Sequence, residues 1–568
     1  ILNFSHLLAL YFNLPDFIAF ICRKISFAWH FDSFSKGILD SRNFVYYLII
    51  SFSFNLLSAN YENIRLGKKT PKLTVFLLTS ILFLLSLSFS NLYVRLDLSK
   101  NKKFSVSKTS SKVIETINDN LRITYYRSEE VAELYPQVTD VDEFLSDYSL
   151  HSPKISLSIE KADAEKLKNL GIQGQQIRND NGNKTEFITV YSAILLQYLE
   201  KSALIPFTLS TNTLEYDLTQ RVIQLTTEKK RKVYLLSGNG RTIGDFYGYV
   251  SPWLITRGFE TEILNEFNTT EILKNLTSED EIVVLGTSNL TQEQKDYLED
   301  ALKNGVKAFI AVSPFNISVE DEWIVTKNSK DSLFSFLNSL GFAFENALVE
   351  DISCHTITMQ SSSDGTYDSQ TEYRTMNYPL WISIQPQKEA KRGASVFWAS
   401  PISLYNGAIP LLVTTNFAWL QKAAESAGNE ESLFLTNPFT LPKTASQSGS
   451  QNGIYTVAAQ KDNVILISDQ FFVSSLMTGF ISGESSGDFR NYDFLTSQLL
   501  KLRGEEELAS LMEKYSESAS LYKLTDENAF LKMKNFTVFV TFVLLPLIII
   551  SIYMSVLILR NKRKGKLY

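Results

Sequence analysis

Apolar and polar positions divide this chain into two apolar ends and a patterned middle. Leu73–Val94 reads LTVFLLTSILFLLSLSFSNLYV, with no charge between Lys72 and Arg95. At about 1.5 Å of rise per residue, a helix of that length covers the roughly 30 Å hydrocarbon core of a bilayer. Asn535–Leu559 is a second uncharged run, in which Pro546 is set to kink a helix. Asn43–Tyr61 is a third, and residues 1–22 are apolar but interrupted by Pro15 and Asp16. The pattern predicts transmembrane helices at both ends.

Residues 95–534 hold no run of that kind and read as mixed α and β structure. Leu121–Tyr126 and Lys154–Glu160 predict strands, Val131–Leu150 a helix and Glu186–Leu199 further strands. Leu214–Leu225 has apolar residues at helical spacing. From Lys232 onward, short apolar strands alternate with helices: VYLL at Val233, EIVVLG at Glu281, KAFIAV at Lys307, NALVE at Asn346 and VILIS at Val464. Thr291 with Gln294 forms a capping box, and Gly305 stops the helix between them. Buried strands alternating with amphipathic helices predict a doubly wound, mostly parallel sheet. Gln360–Tyr378 and Thr444–Gly453 read as loops, and Gly504–Tyr522 as a charged helix. The expected division is 1–65, a membrane segment; 73–94, a transmembrane helix; 95–230, a smaller α+β module; 231–503, an α/β domain; 504–534, a charged helix; 535–559, a transmembrane helix; and 560–568, a basic tail.

Charge adds an orientation. The tail RNKRKGKLY holds five basic residues in nine, which by the positive-inside rule faces the cytoplasm. A multi-pass protein of the bacterial cytoplasmic membrane is expected, with the lipid bilayer as a partner and residues 95–534 outside. The net charge of −6 argues against a nucleic-acid partner. Cys22 and Cys354 are too few and too far apart for a disulfide framework. The four histidines (His6, His30, His151, His355) are scattered, so no metal site is expected. An opening Ile rather than Met is what a chain continuing upstream would show.

The chemistry-bearing motifs are few. No GxxxxGK[ST] phosphate loop occurs, so no nucleotide cofactor is expected and ATP hydrolysis is assigned to a separate subunit. Ser237-Gly238-Asn239-Gly240-Arg241 follows the VYLL strand. Such a turn either offers backbone N–H groups and an arginine to an anion or simply joins a strand to a helix. Asp469 and Asp351 each end a strand, as ligand carboxylates or as turn formers and caps. Cys354 and His355 are adjacent on a strand and point to opposite faces, poorly placed to share a proton. The candidate ligand-binding residues are therefore Gly238, Asn239, Gly240, Arg241 and Asp469, with no catalytic residue. The turn His30–Arg42 mixes Phe31 and Phe34 with Asp32, Lys36, Asp40 and Arg42, and Gly37 allows it to bend. The two-residue spacing of Asp40 and Arg42 predicts that each pairs with another segment.

Several phrases resemble one family in order. Asp97-Leu98, FSVSKTS (Phe104–Ser110), LRITYY, LEYDLTQ (Leu214–Gln220), VYLLSGNG, AFIAVSPF (Ala308–Phe315) and NYDFLTSQLLKL (Asn491–Leu502) are similar to the GldG type of ABC-transporter auxiliary protein of gliding motility. Where that family's turn reads Gly-His-Gly-Glu, this chain has Gly238-Asn239-Gly240-Arg241, so no role of that His or Glu carries over. His30–Gly37 with Asp40, Arg42 and Tyr46 resembles the last turn of a GldF-like ABC-2 permease, which implies a permease end fused to an auxiliary subunit. The resemblance further implies an inactive class I amidotransferase-like domain behind a thioredoxin-like or β-rich module. It implies a cytoplasmic ABC ATPase, other permease or auxiliary subunits, and a dimer as partners. An anchored envelope hydrolase and a scaffold or glycan-binding module are the other classes of function that the sequence allows.

Overall fold

The computed structural model describes residues 25–65, most of 95–514 and most of 527–555, together with Cys22. Within 95–514 the stretches 100–101, 103, 136, 182–183, 228–230, 239–240, 287–289, 320–322, 329–332, 362–371, 386–392, 425–431 and 482–488 fall outside the description. The chain divides into two compact units, 1–516 and 517–568.

A seven-stranded sheet organises the first unit. Its order is Phe259–Ile263, Arg231–Ser237, Glu281–Leu285, Lys307–Ala311, Val464–Ile467, Thr456–Lys461, Ile409–Val413. The first five strands run parallel, and the last two join antiparallel. Parallel strands covered on both faces need apolar residues at consecutive positions, and Glu281–Leu285 is buried throughout. Val233, Leu235, Val283, Leu285, Phe309 and Ile465 enter one core with residues of helices Val250–Thr256 and Arg490–Leu502. Their neighbours Leu236, Ile282, Val284, Ile310 and Leu466 enter the other, with helices Thr269–Asn275, Gln292–Lys303 and Leu333–Leu340. The sheet is thus doubly wound, and the Thr291 capping box is present.

Three local expectations change. Ala347–Glu350 is a strand, but it pairs with Trp419–Lys422 outside this sheet. An all-buried strand shows that both faces are covered without showing by what. Part of the expected loop Gln360–Tyr378 is a hairpin of Cys354–Ser361 with Glu372–Ile384, whose polar residues bond across strands, as Thr358 does with Thr375 at 3.0 Å. The charged helix is Glu506–Lys514, and it buries Leu508, Ala509, Leu511 and Met512 rather than leading away from the core.

A smaller mixed sheet precedes the large one, in the order Ile155–Lys161, Leu121–Arg127, Ser192–Tyr198, Lys201–Ile205. Helices Val138–Leu150 and Leu214–Thr226 pack on it through Val141, Phe144, Leu145, Leu218 and Val222. Charge ties the two halves together. Glu215, fully buried, accepts from the Ser107 N–H at 2.6 Å, the Ser110 hydroxyl at 2.8 Å and the Lys514 ammonium at 2.6 Å. Arg257 pairs with Asp217 at 2.5 Å and reaches Asp493 at 3.8 Å.

The expected transmembrane helices at both ends require correction. Among the described residues, no helix is long and apolar enough to cross a membrane. Helix Ser41–Arg65 has 25 residues, but Ser, Asn, Glu62 and the terminal arginines dilute its apolar run. In the second unit, helix Glu527–Phe539 passes into a π-helical stretch, Val540–Leu544, ahead of Pro546. The run 73–94 and the tail 560–568 lie outside the described residues. The multi-pass inner-membrane location, which rested on these spans, is corrected with them.

Removing one partner of a buried ion pair leaves the other charge uncompensated. Lys514→Met should lower the stability of the first unit by about 3 kcal/mol, read as an earlier urea midpoint at neutral pH. Adding Glu215→Gln to that variant should recover part of the loss.

Candidate functional site at the carboxyl edge of the sheet

The N-terminal candidates form a clasp. Gly37, at φ +79°, turns the chain from helix Phe27–Ser35 into strand Ile38–Asp40, which pairs with Arg95–Asp97. His30 is buried, stacks on Tyr46 at 3.8 Å and lies 2.6 Å from the Asn43 side-chain oxygen. Phe31 is exposed, and Phe34 sits 5.9 Å from the Tyr47 ring. Lys36 bridges Asp32 at 2.5 Å and Asp140 at 2.8 Å. Asp40 and Arg42 pair with each other, at 2.5 Å between guanidinium and carboxylate, contrary to the expectation from their spacing. Helix Ser41–Arg65 begins between them. Asp40 therefore accepts the Arg42 N–H at 2.8 Å as a capping residue does, and a rule for helix faces does not reach across a helix start. Apart from the Lys36–Asp32 bridge within one helix and its cap, these contacts join elements of the fold.

The other candidates lie at the carboxyl ends of the parallel strands. The chain leaves Arg231–Ser237 for the strand on one side and later returns to Glu281–Leu285 on the other. This reversal of strand order opens a crevice of the kind in which α/β sheets bind ligands. Gly238 starts the turn there, its N–H donating to the Leu285 carbonyl at 3.0 Å. The Arg241 N–H closes the turn on the Gly238 carbonyl at 3.1 Å. Asn239 and Gly240 lie outside the described residues. The Arg241 guanidinium stacks 4.3 Å over Phe471 and 5.5 Å from Phe246, and its Nη1 is buried without an acceptor. Across the sheet, with two strands between, Asp469 follows Val464–Ile467. Its carboxyl accepts from the Phe397 N–H at 2.9 Å and the Phe471 N–H at 2.7 Å. Burial pushes it up to about 8, against the pull of these donors and of nearby Arg241. The buried Tyr247 hydroxyl donates to the Gln470 carbonyl at 2.9 Å and is pushed up to about 12 by burial. The fold thus brings Gly238, Arg241 and Asp469 to one edge. Phe246, Tyr247 and Phe471 complete it. The sequence signal for Phe471 was the apolar pair that continues past Asp469; Tyr247 had none beyond its helical neighbours.

Residues 230–498 match a family model described as an ABC-type uncharacterized transport system. The match supports the auxiliary-subunit family of ABC transport systems and a role in such a system. Residues 100–197 match a domain family of unknown function. A Borreliella burgdorferi protein described as uncharacterized is 24% identical over 512 residues, covering 85% of this chain and 97% of its own. Among solved structures, the mmIFT52 N-terminal domain aligns over 48% of this chain and 97% of its own, with TM-score 0.29 and 10% identity. A ThuA-like protein from Bacteroides uniformis aligns over 47% and 97%, with TM-score 0.24 and 12% identity. At those scores neither likeness carries an argument.

The auxiliary-subunit family suggests a non-catalytic subunit, and Asp351, His355 and Ser395 bond within the fold. Asp351 accepts from the Ser353 N–H, the Thr415 N–H and the Thr415 hydroxyl at 2.7–3.0 Å. That is the work of a turn former. His355 lies 2.9 Å from the Ser395 hydroxyl, a serine–histidine contact invisible in the sequence. Ser395 is only 1% exposed and is held by Asn491 through its backbone N–H and carbonyl, both at 2.8 Å, so its hydroxyl is closed to an acyl substrate.

The Asp469 carboxyl sets a pH dependence. Between its ordinary value of 3.8 and about 8, the folded chain holds one proton more than the unfolded chain. Stability therefore falls as pH rises through that window. Glu350, pushed up to about 7 by burial, acts with the same sign. Asp469→Asn should flatten, without abolishing, the decline in melting temperature between about pH 6 and 8.

Proposed function

We propose that this chain is an auxiliary subunit of an ABC transport system, of the GldG type, that binds a substrate or partner at the carboxyl edge of its large sheet. The observation that carries the reading is the match of residues 230–498, whose bounds enclose every strand of that sheet. Energy comes from a separate ABC ATPase subunit, since the sequence has no loop that cradles a triphosphate beside a lysine. The GldF-like resemblance of residues 1–65 does not enter the proposal. In this region the described residues fold onto Arg95–Asp97 and Asp140, and no described helix would cross a membrane. Trp381, Trp398 and Trp419 are fully buried and lend a glycan-binding reading no support.

The test is affinity capture of the tagged full chain from its native host, followed by mass spectrometry and an ATPase assay. An ABC ATPase should co-purify, and the ATPase activity should travel with that subunit. The chain purified alone should release no phosphate from ATP. Capture that repeatedly yields no transporter subunit would count against the proposal.

A further inference from the structure

Arg241 is a charge that the fold has positioned against two aromatic rings and the Tyr247 hydroxyl, with no carboxylate paired to it among the described residues. Its guanidinium is held by the rings of Phe471 and Phe246 at 4.3 and 5.5 Å. Among the described residues no carboxylate forms an ion pair with it. Asp245, its near neighbour in sequence, is engaged by the Thr242 hydroxyl at 2.7 Å and the Thr242 cap. Asp469 has both oxygens occupied by backbone N–H groups. An inward-facing guanidinium nitrogen without an acceptor is costly, and a buried polar group of this kind asks for a partner from outside the fold. Its place adds the second observation, since it stands where the strand order reverses.

We propose that this edge is an oxyanion site, in which Arg241 receives a carboxylate or phosphate oxygen of a small ligand. The inference rests on reading the carboxyl edge as the binding face. Planar guanidinium suits such groups because two parallel N–H donors match two oxygens. Ring stacking orients the guanidinium without neutralising it. The site is also gated by protons. Among the described residues, Arg241 and Tyr247 act on Asp469, and Tyr247, pushed up to about 12, keeps its proton at any physiological pH. While Asp469 is neutral, Arg241 gives the edge a positive charge, and an anion is attracted. Once Asp469 ionises, its own charge competes for the guanidinium and the anion is released.

The test is titration calorimetry of the full chain with inorganic phosphate and, separately, acetate. Saturable binding of at least one is expected at about pH 6, weakened about tenfold or more by Arg241→Gln. Binding should weaken again at about pH 9, and Asp469→Asn should remove most of that pH dependence. Arg241→Lys, which keeps charge but loses the fork, should bind at intermediate strength, with melting temperatures checking that each variant is folded. A preference for phosphate or for acetate tells the two ligand chemistries apart. No saturable binding of either anion, or equal binding by folded Arg241→Gln, overturns the inference. Parallel capture of the ATPase by the same variants separates the two failures. Capture without anion binding sinks only the oxyanion site, whereas loss of capture by the unaltered chain sinks the transport reading.

Discussion

Glu215 is the point on which the joining of the two halves depends. A carboxylate with no exposure is tolerable only if its lone pairs are filled and its charge is balanced. Ser107, Ser110 and Lys514 do this from two sides: the first two belong to the approach to the small module, and the third to the last helix of the large one. The small module is therefore fastened through a residue of its own closing helix, Leu214–Thr226, to a helix that the chain makes only after the large sheet is complete. Arg257 repeats the arrangement two residues further along Leu214–Thr226, between Asp217 and Asp493. Hydrophobic burial holds each half together and also crosses between them where Tyr216 enters the core of the large sheet; directional charge fixes the register of that meeting.

The same division between apolar and polar forces decides what could be read from the sequence. The parallel strands were legible because a strand buried on both faces must be written as a run such as VYLL, EIVVLG or VILIS. The helix after Thr291 was legible from its capping box and Gly305. Partnership was not legible. Nothing in NALVE says that it pairs with Trp419–Lys422, and nothing in Thr456–Lys461 or Ile409–Val413 announces an extension of the main sheet. Polar strands such as Cys354–Ser361 look like loops until the cross-strand partner is known. The apolar ends, where they are described, show the reverse error. Length and lack of charge read as membrane helices, yet a helix of 25 residues can still be too polar to span.

At the sheet edge, the sequence supplied the residue types and the fold supplied the neighbourhood. Gly238 and Arg241 were conspicuous for following a strand, and Asp469 for ending one. Their common edge follows from strand order alone, which no local pattern encodes. The Asp40–Arg42 pair shows a different limit: spacing rules hold within an element and fail at its first residue. The serine and histidine at 395 and 355 make a suggestive pair on distance, and burial removes the suggestion.

The strand order also has a consequence for how the chain is made. Lys307–Ala311 has one neighbour upstream, Glu281–Leu285, and its other neighbour is Val464–Ile467, far downstream. During synthesis the first four strands can assemble early, but one side of Lys307–Ala311 stays unpaired until the whole insertion between these two strands has emerged. An unpaired apolar strand edge is a template for wrong partners, and non-local pairing of this kind forms slowly. The interval between the fourth strand and the fifth is thus a window of exposure for the nascent protein. A ribosome that pauses within it prolongs the risk, and one that passes through quickly shortens it.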